Sequence, residues 1–175
     1  MIVTPRLRLR PWQRQDLHDF SRMNADPHVM KYFPDIYSQQ KSVKAMAVLQ
    51  SHIDRHGFGF WAAEKIDTQE FVGMIGLHKP PYTLPFSPCI EIGWRFRKNH
   101  WGKGYAIEAG ERVLDYAFNS LLLDEVVAFT VASNSRSEKV MQRLGMTRSA
   151  SDFNHPLVDS GSPLSSHLLY RISKN

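Results

Sequence analysis

Apolar residues recur along this chain at two spacings, every second residue in some segments and every third or fourth in others. The alternation of leucine and arginine in PRLRLR predicts a strand from about Val3 to Arg10, with one apolar and one solvated face. The segments FGFWAAEKI and EFVGMIGLHK flank the polar residues 67–69, a pattern typical of a hairpin. Further strands are predicted for CIEIGWRF, EVVAFTVA and SSHLLYRIS.

Helical signals dominate the residues between the first strand and the hairpin. The segment DLHDFSRM has its apolar residues at helical spacing, and ADPHVMKYF offers Asp26 as a cap and Pro27 as the first residue of a second helix. A longer helix is predicted from about Ser38 to His56, with Gly57 as its stop. Its expected apolar face consists of Val43, Met46, Ala47 and Ile53.

The segment NHWGKGYAIEAGERVLDYAF joins a basic glycine turn to an amphipathic helix. Its expected buried positions are Ala106, Val113, Leu114, Ala117 and Phe118, and its expected outward charges are Glu108, Glu111, Arg112 and Asp115. A last helix is predicted in NSRSEKVMQRLGM. A capping box of Ser135 and Glu138 would begin it, and Gly145 would end it.

The order of these elements predicts a mixed sheet covered by helices, in an α/β (α+β) fold. Antiparallel hairpins come first, and a strand–helix–strand–helix–strand series follows. The segment PPYTLPFSP holds four of the ten prolines and is predicted to be a loop. Gly93, inside a predicted strand, indicates either a bulge or a close backbone approach. With 175 residues, the chain is expected to form a single domain, residues 1–175.

Composition narrows the classes of function. Apolar residues make up 42% of the chain and charged residues 22%, which is typical of a globular protein. The formal charge of +5 suits a phosphate-bearing ligand and is too modest to indicate nucleic-acid binding. The chain shows neither a leader segment nor an apolar run of membrane-spanning length, so a cytoplasmic protein without a membrane partner is expected. Cys89 is the single cysteine and is expected to serve packing.

No metal site is predicted. His52 and His56 lie four residues apart on a predicted helix, but Ile53 stands where the zinc-protease motif requires glutamate. Both histidines are therefore expected to be exposed residues on a helix surface.

The glycine turn suggests an anion site. Gly102 and Gly104 bracket Lys103 at the start of a helix, where main-chain N–H groups and the helix dipole favour negative charge. A loop that simply requires glycine is the alternative explanation. Two nucleotide motifs are excluded, because Ile107 replaces the third glycine of a dinucleotide fingerprint and Lys103 precedes, rather than follows, the last glycine.

Several segments, taken in order, resemble the GNAT superfamily of acyl-CoA-dependent N-acetyltransferases, in its RimJ/RimL-like branch. They are TPRLRLRPW, GFGFWAAE, FVGMIGL, EIGWRF, WGKGYAIEA, YAF, NSRSEKVMQRLGM and HLLYRI. The resemblance implies a GNAT fold, with a mixed, mostly antiparallel sheet flanked by helices and splayed central strands that hold acyl-CoA. It also implies acetyl-CoA as co-substrate, no metal, and a homodimer as one allowed assembly.

The resemblance assigns the cofactor side of the site. The glycine turn matches the family's pyrophosphate loop, in which Trp101 replaces the usual Gln or Arg. The backbone around Trp94 and Phe96 would pair with the pantetheine arm like an added strand. Asn134 and Ser137 match the family's second CoA-side motif. The implied cofactor-binding residues are Trp94, Phe96, Trp101, Gly102, Lys103, Gly104, Tyr105, Ala106, Asn134 and Ser137.

The resemblance also implies two catalytic candidates. Glu91 would be the base that takes a proton from the attacking amine, and a surface carboxylate that only orients the amine is the alternative. Met141 stands where many members have a tyrosine acid, so Ser137 would hydrogen-bond the leaving sulfur. A simple capping hydroxyl explains Ser137 equally. The N–H of Trp94 would meet the developing oxyanion.

Three functions follow from these assignments. The first is acetyl transfer to a peptide N-terminal amine, and the second is acetyl transfer to a small amine such as a polyamine, an aminoglycoside or an amino acid. The third is a CoA-binding module without catalysis. The resemblance implies an acceptor site walled by Tyr32, Phe33 and the proline-rich loop near Tyr82.

Overall fold

The computed structural model describes residues 1–174 and arranges them around a sheet of nine strands. The strands are β1 (Ile2–Val3), β2 (Leu7–Arg10), β3 (Phe60–Lys65), β4 (Phe71–His78), β5 (Glu91–Phe96), β6 (Glu125–Val131), β7 (Thr147–Arg148), β8 (Phe153–Asn154) and β9 (Ser166–Ser173). The helices are α1 (Asp16–Ala25), α2 (Gln39–His56), α3 (Tyr105–Asp115) and α4 (Ser135–Arg143). A π-helical turn extends α3 over Tyr116–Ser120.

The strands follow the order β1-β2-β3-β4-β5-β6-β9-β7, with β8 paired to β9. Neighbouring strands are antiparallel except for β5 and β6, which are parallel. This is the mixed, mostly antiparallel sheet that the sequence predicts. Among residues 1–174, no helix is long and apolar enough to cross a membrane.

Strands β5 and β6 separate almost as soon as they meet. Within the described residues, their register contains one pair, Glu91 opposite Val127, and the Val127 N–H donates to the Ile90 carbonyl at 3.0 Å. Beyond that pair the gap between Ile92–Phe96 and residues 128–131 opens toward the carboxyl ends of both strands. We refer to this gap as the split, and it confirms the splayed central strands implied by the family resemblance.

The two faces of the sheet are covered by different helices. Trp61 contacts Tyr116 at the end of α3, and the register places Ile75 and Trp94 beside Trp61 on that face. Arg95 lies on the opposite face, where it contacts Asn24 of α1. Because side chains alternate along a strand, Glu91 and Gly93 share the face of Arg95, which α1 and α2 cover.

The predicted strand from Val3 to Arg10 is wrong, because a turn divides it into β1 and β2. The Leu7 N–H donates to the Thr4 hydroxyl at 2.8 Å, and the Thr4 N–H donates to the Leu7 carbonyl at 2.9 Å. The predicted solvated face is also wrong at its last residue. Arg10 is buried and pairs with Asp16 (2.8 Å) and Glu64 (2.6 Å).

The predicted helix at Asp26 and Pro27 does not form. Asp26 instead ends α1, and its carboxylate accepts the His28 N–H at 2.8 Å. Residues 26–37, which we call the strap, continue without helix or strand. The Tyr32 hydroxyl donates to the Ser133 carbonyl at 3.3 Å. The strap therefore reaches the β6–α4 junction, on the far side of the split.

The ends of α2 are predicted correctly to within one residue, but its apolar face is not. Ser38 caps the helix by accepting the Lys41 N–H, and Gly57 ends it in the left-handed conformation. Val43 and Ala47 are exposed rather than buried. The positions that do face the protein interior are Ser42, Ala45, Met46, Leu49 and Ile53.

Two other local predictions are corrected. The cap of α4 is Asn134 rather than Ser135, and Glu138 accepts the Tyr170 hydroxyl at 2.9 Å instead of closing a capping box. Gly93 forms no bulge, since the β4–β5 register runs through it without a break. A Cβ at Gly93 would lie 3.0 Å from the Phe60 ring, so what approaches closely is a side chain.

Candidate active site

The main chain of β5 turns its free groups toward the split. The Arg97 N–H donates to Val72 of β4 at 2.9 Å, and hydrogen-bonding direction alternates along an antiparallel strand. The N–H groups of Trp94 and Phe96 therefore point away from β4, and β6 has already diverged there. The Phe96 carbonyl accepts the indole N–H of Trp101 at 2.8 Å. The structure thus places the main chain of Trp94 and Phe96 along the split, where the family resemblance puts the pantetheine arm.

The glycine turn presents a row of unpartnered amides at the open end of the split. Gly102 and Gly104 have φ of 74° and 83°, a left-handed conformation that favours glycine. Among the described residues, the five N–H groups of residues 102–106 have no hydrogen-bond acceptor. Side chains of Ser38 and Asn134 cap α2 and α4, whereas the cap of α3 is Gly104, which has none. An anion at this position would receive several N–H donors at the positive end of α3.

The side chains of the turn support its shape rather than line it. Trp101 is half-buried, and the Arg136 guanidinium carbon lies 4.6 Å from the centre of its ring. Tyr105 is buried, and Arg6 stacks on it at 4.6 Å. Lys103 is exposed and Ala106 half-buried. Tyr105 and Ala106 therefore offer free main-chain N–H groups, and Lys103 offers an exposed positive charge, whereas the Trp101 N–H already donates to the Lys98 carbonyl at 3.1 Å.

The structure adds a cation beside the turn that the sequence analysis missed. Arg6 donates to Glu108 at 2.6 Å, and the Thr4 hydroxyl donates to the same carboxylate at 2.6 Å. Burial works to raise the pKa of Glu108, but these hydrogen bonds outweigh it and the pKa is lowered. Glu108 therefore does not face solvent as predicted. A Cβ at Gly104 would lie 3.4 Å from Nη2 of Arg6, so this guanidinium is held against the turn.

Asn134 and Ser137 lie across the split from Trp94. Asn134 accepts the Ser137 N–H at 3.3 Å, and its amide donates to Thr130 Oγ1 at 2.9 Å and to Ser137 Oγ at 3.1 Å. Because Ser137 Oγ accepts from Asn134, its own proton remains available for another acceptor. Met141 is 1% exposed and belongs to the core, so it has no chemical role at the split.

Glu91 forms a pair with a histidine from the neighbouring strand. His78 lies opposite Glu91 in the β4–β5 register, and its Nδ1 is 3.0 Å from a Glu91 carboxylate oxygen. The Glu91 side chain is 13% exposed. Burial raises the pKa of Glu91, and the hydrogen bond from His78 opposes that rise. A carboxylate in this setting holds a proton more readily than an ordinary glutamate.

His52 of α2 packs against the His78 ring of this pair. Its Nδ1 lies 3.0 Å from the Phe58 carbonyl, and its Nε2 accepts the Lys79 N–H at 3.2 Å, which fixes the neutral tautomer. Burial and the nearby His78 lower the pKa of His52 to about 4. The rings of His52 and His78 lie 4.5 Å apart. The expectation that His52 is an exposed helix residue is therefore wrong.

Three features of the site, the split, the row of free amides and the half-buried Glu91, agree with the family to which the sequence is similar. Residues 6–147 match the family model described as the acetyltransferase (GNAT) domain. The chain belongs to this GNAT family. The family is one of N-acetyltransferases, so the protein is an acyltransferase by family membership.

Similar proteins cover nearly the whole GNAT chain. YkkB of Bacillus subtilis is 31% identical over 160 residues, which span 90% of this chain and 92% of YkkB. The FsC-acetyl coenzyme A-N(2)-transacetylase of Aspergillus fumigatus is 32% identical over 160 residues, spanning 87% of this chain and 67% of the relative. The crystal structure of a GNAT-family acetyltransferase from Bacillus anthracis superposes with a TM-score of 0.82 at 26% identity, covering 98% of this chain and 97% of that chain.

Two walls border the α1/α2 face of this GNAT domain. The strap forms one, beside Arg95. The proline-rich loop, which comes just before Glu91 in the chain, forms the other; Phe86 contacts Phe129 of β6 and the Tyr82 hydroxyl lies 3.2 Å from His155 Nε2. The loop encloses a cleft of about 280 Å³ lined by Lys79, Pro80, Pro81, Tyr82, Thr83, Ser87, Pro88 and Cys89. Burial raises the pKa of the Cys89 thiol, which argues against a thiolate nucleophile there.

Proposed function

We propose that this protein transfers an acetyl group from acetyl-CoA to a primary amine. The observation that carries the proposal is the meeting of the unpartnered amides of residues 102–106 with the open split between β5 and β6. Coenzyme A has an extended pantetheine arm and a pyrophosphate group. The split suits the first of these parts and the row of free amides suits the second. The name of the Aspergillus relative, which includes acetyl coenzyme A, supports the same donor.

The residues at the split fit coenzyme A chemically. The turn at Gly102–Ala106 offers N–H donors to the pyrophosphate, and Arg6, although paired with Glu108, holds a guanidinium nitrogen beside Gly104. The main chain at Trp94 and Phe96 offers the strand edge to the pantetheine arm. Acetyl-CoA, when bound, supplies the acetyl thioester that the acceptor amine attacks.

Glu91 is the proposed base for the amine proton. An N-terminal amine has a reference pKa of roughly 7.7–8.0, so a small fraction of the molecules is already neutral near pH 7. Only modest assistance from a general base is therefore needed. Glu91 lies on the face that α1 and α2 cover, and His78 fixes its carboxylate by a 3.0 Å hydrogen bond. The Trp94 N–H, which points into the split, is the proposed donor to the acetyl oxygen.

Ser137 is the proposed hydrogen-bond donor to the leaving sulfur. Asn134 holds its oxygen at 3.1 Å, which orients the hydroxyl and leaves its proton free. Little acid strength is needed, because a thiol with a reference pKa of about 8.5 leaves as a fairly stable thiolate.

The proposed acceptor is the N-terminal amine of a peptide, as the RimJ/RimL-like resemblance implies. The strap and the proline-rich loop border the face of Glu91, and a chain end could enter between them. A small amine is the second candidate, supported by the N(2) transfer in the name of the Aspergillus relative.

The experiment is thiol release from acetyl-CoA across a panel of peptides, polyamines, aminoglycosides and amino acids. Mass spectrometry then checks each product for one added acetyl group. Turnover with peptides supports the first acceptor, and turnover with small amines alone supports the second. Acetyl-CoA binding without any turnover over the panel would contradict the catalytic proposal and leave a binding module.

A further inference from the structure

Arg95 is a half-buried arginine on the acceptor side of the sheet, and the proposed chemistry gives it no role. It lies on β5, on the same face as Glu91, and Gly93 between them has no side chain. The strap covers it. The guanidinium carbon of Arg95 lies 4.1 Å from the centre of the Phe33 ring and 5.8 Å from the centre of the Tyr37 ring. Arg95 therefore sits between the split and the wall that the strap forms.

No carboxylate within residues 1–174 neutralises Arg95. Its Nη1 donates to the Asn24 side-chain oxygen at 2.7 Å, and Asn24 is itself neutral. Arg10, which is more deeply buried than Arg95, is paired with both Asp16 and Glu64. Taking a charge out of water without a counter-ion is costly. The contrast shows that this fold neutralises a buried guanidinium where the charge has only a structural role.

The unused edge of Arg95 has the geometry for a carboxylate. Nε is buried and has no hydrogen-bond partner among the described residues. Nη2 makes no hydrogen bond of standard geometry within residues 1–174, and the one other polar side chain that interacts with the guanidinium is the neutral hydroxyl of Tyr37. These two nitrogens form one edge of the guanidinium, and such an edge binds a carboxylate through two parallel hydrogen bonds.

We propose that Arg95 binds a carboxylate carried by the acceptor, so that the substrates are primary amines that are also acids. This inference rests on the proposed function and names its substrate class. The Cα atoms of Glu91 and Arg95, four residues apart on one strand, are separated by about 13 Å. That spacing lets an acceptor place its amine toward Glu91 and its carboxylate toward Arg95. A free amino acid and a peptide with an acidic second residue both carry this chemistry.

The same charge disfavours part of the small-amine candidates. A polyamine or an aminoglycoside would bring further positive charge to a buried, unpaired guanidinium. Like charges at short range in a low dielectric repel strongly. Polycationic acceptors should therefore be poor substrates.

The test compares acceptors that differ in one charge. One pair is a peptide that begins Ser-Asp and the same peptide with Ser-Asn, and the other is a free amino acid and its amide. We expect the wild-type kcat/KM to favour the acidic member of at least one pair by at least about tenfold, the worth of a charge-assisted hydrogen bond. The pair that responds identifies the source of the carboxylate.

Variants then assign the preference to Arg95. Arg95→Gln should abolish it, and Arg95→Lys, which keeps the charge without the fork, should restore it in part. Arg97→Gln is the matched control, because Arg97 directly follows the same strand but already pairs with Asp19 and Glu70. Circular dichroism and acetyl-CoA affinity, measured by calorimetry, verify that each variant is folded and binds the donor.

Three results would overturn the inference without touching the proposed function. One is equal kcat/KM for acidic and neutral partners in both pairs, and another is an acid preference that Arg95→Gln retains. Preferred turnover of spermidine would also overturn it. A wild-type protein that binds no acetyl-CoA would instead refute the proposed function itself.

Discussion

Replacing Glu91 by glutamine tests the proposed base most sharply. The side chain keeps its size and can still accept the His78 hydrogen bond, but it cannot take a proton. Burial disfavours the charged form of Glu91, so an uncharged amide is not expected to lower the unfolding midpoint. A change in turnover then reports chemistry and not loss of fold.

The expected magnitude follows from the acceptor and the base together. At pH 7 roughly 10–17% of a peptide N-terminal amine is neutral, given its reference pKa of about 7.7–8.0. A positioned general base contributes about 10²–10⁴-fold. We expect a loss of kcat near the lower end, about 100-fold, because the amine needs little help.

The pH profile gives the second readout. Burial raises the pKa of Glu91, so wild-type activity should be lost as pH falls through that raised value. The Glu91→Gln variant should lack this acid limb. A His78→Asn variant should keep the plateau but shift the limb to higher pH, because the His78 hydrogen bond lowers the Glu91 pKa.

The assay is steady-state thiol release with the best peptide or amine acceptor, at several pH values, with acetyl-CoA affinity measured in parallel. Full turnover of a folded Glu91→Gln protein near neutral pH would remove Glu91 as base. An unshifted limb in His78→Asn would show that the pair does not set the profile.

Three further predictions concern stability and the leaving group. Arg10→Met should lower the free energy of unfolding by about 3–5 kcal/mol in urea titration, because Asp16 stays buried without a cation and Glu64 keeps only Arg8; a loss below about 1 kcal/mol would contradict this. As the pH is lowered from 6.5 to about 4, the wild-type unfolding temperature should fall. In that range His52 takes up a proton in the unfolded chain but not in the folded protein. His52→Gln should reduce that fall in calorimetry, and an identical fall would refute the assignment. Ser137→Ala should lower kcat about 2- to 12-fold, the worth of one neutral hydrogen bond, and an unchanged kcat would leave the serine as a cap.

Local features of the fold are predictable from this sequence because few residues decide them. Gly57, Gly104 and Gly145 all have positive φ at helix ends, as their positions indicate. The hairpin of β3 and β4 follows from two apolar segments on either side of a polar turn. The helix after the glycine turn also forms as its apolar spacing predicts.

The failures occur where distant segments decide the outcome. Asp26 and Pro27 have the chemistry of a helix start, yet the strap is drawn toward Ser133 by the Tyr32 hydroxyl. Glu108 lies on the polar side of α3 by periodicity, yet Thr4 and Arg6, about a hundred positions earlier, bind it. Neither contact leaves a signal in the local pattern.

The candidate site divides in the same way. The glycine turn and the β5 segment were recognisable as motifs, and the structure brings them to one split. His78 lies outside the quoted motifs, and Arg95, although it lies within EIGWRF, has no role assigned by that motif. The pairing of His78 with Glu91 depends on strand register, and the isolation of Arg95 depends on which carboxylates fold elsewhere. Strand register and the lack of a carboxylate partner can be seen only in the folded chain, so the local sequence pattern does not predict them.

Calorimetric titration of acetyl-CoA into three forms of the protein tests the central claim, that the glycine turn and the split hold this donor. Gly104→Glu places a carboxylate where the pyrophosphate is proposed to bind. Gly145→Glu is the control, since Gly145 also has positive φ, at 77°, and a Cβ there meets nothing within 4 Å. We predict that the wild type and Gly145→Glu bind acetyl-CoA and that folded Gly104→Glu does not. Unchanged affinity in Gly104→Glu would contradict the account.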